Sequence, residues 1–249
     1  STRQKSASLW GNDCPLAMKH LLFTEHMKTA DLIHANYRLL FVLPRFGIQL
    51  GFGDRSIGEV CRQNGCSVDL FLLVCNLCTF NDFLPDPGAL HAFTVDELTA
   101  YLRRSHEDYL QHQIPEIRER VLALVGCCEA KNGRVLERFF DDYLREVVRH
   151  FEYEETVVFP YVHSLVAGTG RADEGYSIGQ FEENHSNIEE KLGDLKNILI
   201  KYLPDLSCGA LRNNLLLDLF LLEGDLSKHS LIEDRILVPL VEQLEGERR

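Results

Sequence analysis

Four histidines and two glutamates recur at fixed spacing in this chain. His106 and His150 are 44 residues apart, and so are His185 and His229. The second pair follows the first by 79 residues. The segment His150-Phe-Glu-Tyr-Glu154-Glu-Thr-Val-Val-Phe-Pro160 parallels His229-Ser-Leu-Ile-Glu233-Asp-Arg-Ile-Leu-Val-Pro239. Both read as His-x3-Glu, a second acid, and a proline six residues beyond the glutamate. Such a repeat is expected of a duplicated helical hairpin with one ligand set at its centre.

On a helix, residues four apart share a face, so His150 projects with Glu154 and His229 with Glu233. By periodicity these faces are apolar. The first carries Phe140, Tyr143, Val147, Val157 and Tyr161; the second carries Leu222, Leu226, Ile236 and Leu240. His106 lies in a stripe with Leu102, Leu110, Ile117 and Val121, and His185 in one with Phe181, Ile188, Leu192, Leu195 and Leu199. An unpaired buried carboxylate costs on the order of several kcal/mol. Imidazoles and carboxylates gathered in one core are compensated by a divalent metal pair, for which neutral His and ionised Glu are suitable ligands. The remaining histidines, His20, His26, His34, His91, His112 and His163, lack matched partners and are expected to be non-ligands.

Helices must carry these groups. Thr94-Val-Asp-Glu97 is a capping box that opens the His106 helix, which Pro115 should kink or split. A turn near Lys131-Asn132-Gly133 leads to a second long helix over about 134–166, bent near its end by Pro160. Ser177-Ile-Gly-Gln180 offers a cap for a third, to about Leu203, and a fourth spans about 209–244. Antiparallel packing brings the four histidines to comparable depth, giving an all-α, up-down-up-down four-helix bundle over 91–249. Residues 1–90 are expected to form a small helical N-terminal domain. It would hold one helix over 28–44, a glycine-rich loop, and helices capped by Ser56 and Ser67. Asn81 to Ala92 reads as the linker.

The chain has 249 residues, is 45% hydrophobic and carries a net charge of −12, which argues against nucleic acid and anionic membranes as partners. No run is long and apolar enough to span a bilayer, and no secretory signal pattern is present, so a cytoplasmic location is expected. The eight cysteines, including the Cys75-Asn-Leu-Cys78 motif and the adjacent Cys127 and Cys128, are expected to be reduced and mostly buried.

A lone His and a His-x3-Glu, each occurring twice on successive helices, resemble the hemerythrin-like HHE cation-binding family. Within it the chain looks most like the RIC-type di-iron proteins of iron–sulfur cluster repair. The resemblance implies metal ligation by His106, His150, Glu154, His185, His229 and Glu233. It further implies two non-haem irons spanned by the glutamates and an oxo or hydroxo bridge. Manganese or zinc would also suit such donors. Oxygen-carrying relatives have a His-x3-His on the third helix, where this chain has Glu189, and end in His-x4-Asp. Asp234 satisfies that last spacing, but Glu233 matches Glu154 in the internal repeat. Gly47-Ile-Gln-Leu-Gly51-Phe52-Gly53-Asp54 is similar to a repair-type N-terminal segment, with Gly51 and Phe52 in place of its vicinal cysteines.

The resemblance implies a stress-response protein that binds nitric oxide, oxygen or peroxide, with damaged iron–sulfur proteins and a redox partner as its associates. Tyr109 and Tyr153 are candidate donors behind the ligands. An oxygen or nitric oxide sensor without turnover, and an oxidoreductase reducing nitric oxide or peroxide, are the alternatives.

Overall fold

The computed structural model describes residues 22–169, 176–181, 186–204 and 208–247. Among them the fold is all-α, the only β-type pairing being an isolated bridge between Lys28 and Ser56. Short helices come first: α1 (Thr29–Ala35), α2 (Leu39–Arg45), α3 (Ile57–Gln63) and α4 (Val68–Thr79). The helix expected over 28–44 is therefore two. Asn36 breaks it with an extended backbone, its side chain accepting from Arg38 N and donating to Thr79. Ser56 and Thr94 form complete capping boxes with Glu59 and Glu97, and Ser67 caps α4 through Leu70 N. Phe52, in the glycine-rich loop, is buried in the core.

Long rods follow. α5 (Val95–Asp108) continues into α6 (Ile114–Val125), α7 (Ala130–Tyr153) into α8 (Phe159–Ala167), and α10 (Gly209–Ile232) into α11 (Val238–Glu247). α9 (Ser186–Asn197) completes the bundle. α6 packs on α7, α7 on α9, α9 on α10 and α10 on α6, as an up-down-up-down bundle requires. The first turn lies at 126–129 rather than 131–133, so α7 begins at Ala130. Ser177 makes no side-chain cap and opens only a short 3-10 turn, Ile178–Gln180.

Each rod contains a five-residue π turn: Tyr109–Gln113, Glu154–Val158, Ile198–Tyr202 and Glu233–Leu237. In every case a proline follows six residues after the turn begins, at Pro115, Pro160, Pro204 and Pro239. A proline lacks the N–H that an α-helix needs, and its ring meets the carbonyl four residues back. Widening the turn by one residue relieves the clash, and the residue before the proline then donates to the carbonyl five back. Phe159 N donates to Glu154 O and Val238 N to Glu233 O. The expected kinks are thus π turns, and two of them begin at the ligand-type glutamates.

Two apolar cores divide the described bundle along its length. One joins the N-terminal helices to Leu102, Val158, Phe159, Ile232 and Ile236; the other gathers Tyr109, Phe151, Leu199 and Leu226. The change from one to the other falls at His106, Glu154 and His229 in their respective rods. Polar groups therefore form a layer between two hydrophobic masses. Val157, expected inward, is 38% exposed, while its neighbour Val158 is buried at 0%.

Cys127, in the α6–α7 turn, is disulfide-bonded to Cys208 at the start of α10, with Cα atoms 6.5 Å apart. This corrects the expectation of reduced cysteines. The two residues, 81 positions apart in the chain, meet at one end of the bundle, a proximity that Cys spacing does not reveal. Cys61, Cys66, Cys75, Cys78 and Cys128 are free thiols.

Candidate metal centre

His106 enters the polar layer from α5, Glu154 from the π turn after α7, His229 from α10 and Glu233 from the π turn after it. All four are buried, and each offers one ligand atom within 4.8 Å of the others. His150 joins through its Nε2, 2.6 Å from Glu154 Oε1. His185 lies outside the described residues.

Glu154 is the hub. Its Oε2 lies 2.8 Å from His106 Nε2 and 3.9 Å from His229 Nε2. Neither carboxylate oxygen makes a well-directed hydrogen bond, although Glu154 is wholly buried. The two imidazole nitrogens, His106 Nε2 and His229 Nε2, are 3.2 Å apart, and Glu233 Oε1 is 3.2 Å from His229 Nε2. One proton can bridge one of these pairs. A cation at the convergence point satisfies the set, which is the arrangement that a hard-to-borderline divalent ion takes from nitrogen and oxygen donors.

Burial alone would raise the Glu154 pKa, but the imidazoles of His106, His150 and His229 hold it well below the carboxylate range. Burial likewise disfavours imidazolium at His229, yet Glu233 and Glu154 outweigh it and raise its pKa to about 10. His106 follows the same balance, raised by Glu154 and Glu155 against desolvation. The glutamates thus stabilise positive charge at this layer, whether carried by protons or by metal ions.

A residue outside the sequence-predicted set supports His106. Glu155 Oε1 lies 2.9 Å from His106 Nδ1, and Arg103 Nε donates to Glu155 Oε2 at 2.9 Å. With Nδ1–H donated outward, Nε2 points its lone pair into the cluster. The signal was the Glu154–Glu155 doublet. Adjacent helical residues diverge by about 100°, so one carboxylate faces inward while its neighbour reaches across to α5. Phe151 stacks on the His106 ring at a centroid distance of 4.2 Å and fixes its plane.

A family model for the hemerythrin HHE cation binding domain matches residues 97–241. The chain belongs to the hemerythrin HHE family. No curated protein and no solved structure matches it. As a hemerythrin-type protein it is a metal-binding helical bundle, and the cluster above falls inside the matched span. Its two repeat acids separate cleanly: Glu233 is wholly buried, whereas Asp234 is exposed. Tyr109 packs edge-on against His229, with a ring separation of 5.7 Å and a buried hydroxyl lacking a hydrogen-bond partner. Tyr153 instead donates to Tyr176 OH at 3.2 Å. His26, His34, His91 and His112 are exposed; His163 sits 3.0 Å from Asp96 and apart from the cluster; His20 lies outside the described residues. No helix among the described residues is long and apolar enough to cross a membrane.

Proposed function

We propose that this hemerythrin-type protein is a non-haem di-iron protein of the nitrosative and oxidative stress response, acting in iron–sulfur cluster repair in the cytoplasm. Its ligand set would be His106, His150, Glu154, His185, His229 and Glu233, with the two glutamates shared between the metals. The observation that carries this reading is Glu154: a fully buried carboxylate facing two imidazoles at 2.6 and 2.8 Å without a well-directed hydrogen bond. Two bound irons would supply redox equivalents and open positions for nitric oxide, oxygen or peroxide. The chain's own residues hold the ligands and exclude water. Glu155 orients His106, Phe151 and Phe159 wall its ring, and Tyr109 shields His229.

The test is metal quantification on protein expressed anaerobically with iron, beside Glu154→Ala and Glu233→Ala. About two irons per chain, lost in either variant, are expected for a centre of this donor set. A single zinc, or folded protein that takes up no metal under these conditions, would sink the di-iron reading. Iron-loaded protein should then restore activity to a nitrosylated iron–sulfur enzyme, whereas the Glu154→Ala protein should not.

One contact favours a second reading, a diatomic-gas sensor. Arg45 of α2 is buried against Asp225, four residues before His229, and reaches Asp108, two residues after His106, at 2.8 Å. The N-terminal helices thus touch two of the rods that carry the cluster, those of His106 and His229. Absence of turnover with a reductant, combined with ligand-dependent protection of α2 from hydrogen exchange, would select this reading.

A further inference from the structure

Cys61 and Cys66 stand apart from the metal-type layer and form a thiol pair at the mouth of a separate cavity. Cys61 is fully buried at the end of α3, and Cys66 is half-buried just after the following turn. Gly65 makes that turn. Its φ of +66° is left-handed, a conformation available to glycine at no steric cost. The reversal lets Cys66 N donate to Cys61 O at 3.1 Å, and the Cys66 thiol lies 3.6 Å from the same carbonyl. A helix-end bond of this kind packs the side chains of its two residues together. The helix end thus sets the two cysteines beside each other, the placement from which a disulfide between them would close.

The cavity beside them has a volume of about 360 Å³, with Cys66, Gly47, Asp96, Glu97 and Arg104 among its lining. It lies between the N-terminal helices and α5. Arg104 is held in place by donating to Arg45 O at 2.9 Å, and it acts on Cys66 as a stabilising positive charge. Hydrogen bonding from Cys61 is the largest influence holding the Cys66 pKa below its ordinary value, against desolvation. The Cys61 thiol is pushed the other way, chiefly by the same hydrogen bond and by burial. A more acidic, accessible thiol thus backs onto a less acidic, sheltered one, the asymmetry of an attacking and a resolving cysteine.

We propose that Cys66 and Cys61 form a dithiol that reduces a low-molecular-weight disulfide bearing both carboxylate and ammonium groups. Arg104 would receive a carboxylate, and Asp96 an ammonium group. The Cys66 thiolate attacks one sulfur of the disulfide, forming a mixed disulfide and releasing the first thiolate, which takes up a proton. Cys61 then loses its proton and attacks Cys66 Sγ, releasing the second thiol. The protein is oxidised by two electrons to a Cys61–Cys66 disulfide, and the small disulfide is reduced to two thiols. The metal-type residues take no part in either step.

The probe is glutathione disulfide, added anaerobically to the full chain after complete reduction and desalting, with each cysteine followed by differential alkylation and peptide mass mapping. Cys66 should react about tenfold faster than Cys128, whose thiol is pushed up by burial. The product should be the Cys61–Cys66 disulfide with no retained glutathione at either position. Cys61→Ala should arrest the reaction as a glutathione adduct on Cys66. Arg104→Gln should slow attack at Cys66 severalfold while leaving the Cys128 rate unchanged. Circular dichroism of each variant verifies folding; should Cys61→Ala not fold, the unsubstituted chain still decides the matter through its product. Equal rates at Cys66 and Cys128, or a persistent adduct on Cys66 in the unsubstituted chain, would overturn the proposal. An unchanged Cys66 rate in Arg104→Gln would overturn the assigned substrate class.

Discussion

The rod α7–α8 and the rod α10–α11 are the two copies of one ligand-bearing design, and they differ mainly on the outside. Each has a 24-residue helix ending in His-x3-Glu, a π turn begun by that glutamate, and a proline. Inside, both present a buried carboxylate to imidazoles. Outside, α7 is a charged surface, with Arg145 paired to Asp142, Arg149 to Glu146, and Lys191 reaching Glu146 at 2.9 Å. The second rod is instead covered by the N-terminal helices. Lys228 donates to Asn81, and Arg45 forks onto Asp225. Val157 and Ile236 occupy equivalent repeat positions, yet one is 38% exposed and the other fully buried. The inner faces of the two rods share one arrangement, whereas only the second rod's outer face meets a covering element.

The strongest way to break this asymmetry is Arg45→Met. It leaves Asp225 and Asp108 without their buried cation, and loss of one member of a buried ion pair costs about 3–5 kcal/mol. Urea unfolding should show that loss. Arg45→Met combined with Asp225→Leu should recover much of it, since an apolar replacement of the whole pair is close to neutral. A loss below about 1 kcal/mol for the single variant would mean that the N-terminal helices are held by apolar packing alone. Next comes the equivalent-position pair. Ile236→Ala removes a fully buried side chain and should cost roughly 2–5 kcal/mol. Val157→Ala should stay within about 0.5 kcal/mol, as surface changes do. Equal effects would contradict the covering of one rod and not the other.

Cys127→Ser removes a crosslink between the start of the second hairpin's last helix and the first hairpin's turn. Loop closure over the 81-residue separation accounts for up to about 4.5 kcal/mol from the freer unfolded chain, so a loss of roughly 2–5 kcal/mol is expected. Reductant should lower the unfolding midpoint of the unsubstituted protein and leave that of Cys127→Ser unchanged.

The legible part of this molecule was the part governed by local periodicity. The His-x3-Glu repeats place their side chains on one helix face in any helical context, so His106, Glu154, His229 and Glu233 come together as the spacing implies. Capping boxes at Ser56 and Thr94 are equally local and form as read. What the spacing could not reveal was set across the chain. Cys127 meets Cys208 only because the bundle ends coincide. Proline signalled a break but not its form, a π turn in each rod, and which rod the N-terminal helices cover decides that Val157 is exposed while Ile236 is buried. Arg45 looks like one more surface cation after a helix-ending proline, and only the docking of α2 against α5 and α10 makes it a buried charge.

Glu155 sharpens the comparison at the level of a single acid. It follows the ligand-type Glu154 as Asp234 follows Glu233, and it is the carboxylate that fixes the His106 ring through Nδ1. Glu155→Gln retains the shape and an acceptor oxygen but removes the charge that favours Nδ1–H donation. Loss of such an outer partner typically weakens metal binding by about 10–100-fold. Competition with a coloured chelator should register that drop, while circular dichroism and the urea midpoint of the metal-free protein change little, because Glu155 is itself half-exposed. Arg103→Gln should produce a smaller drop in the same direction, since Arg103 touches His106 only indirectly, through Glu155 and through the Phe159 ring over which it lies. If Arg103→Gln proved as damaging as Glu155→Gln, the orienting role would belong to the pair as a unit. If neither changed metal affinity, stacking by Phe151 alone would suffice to hold His106, and the outer carboxylate of the first rod would be no more than a surface ion pair.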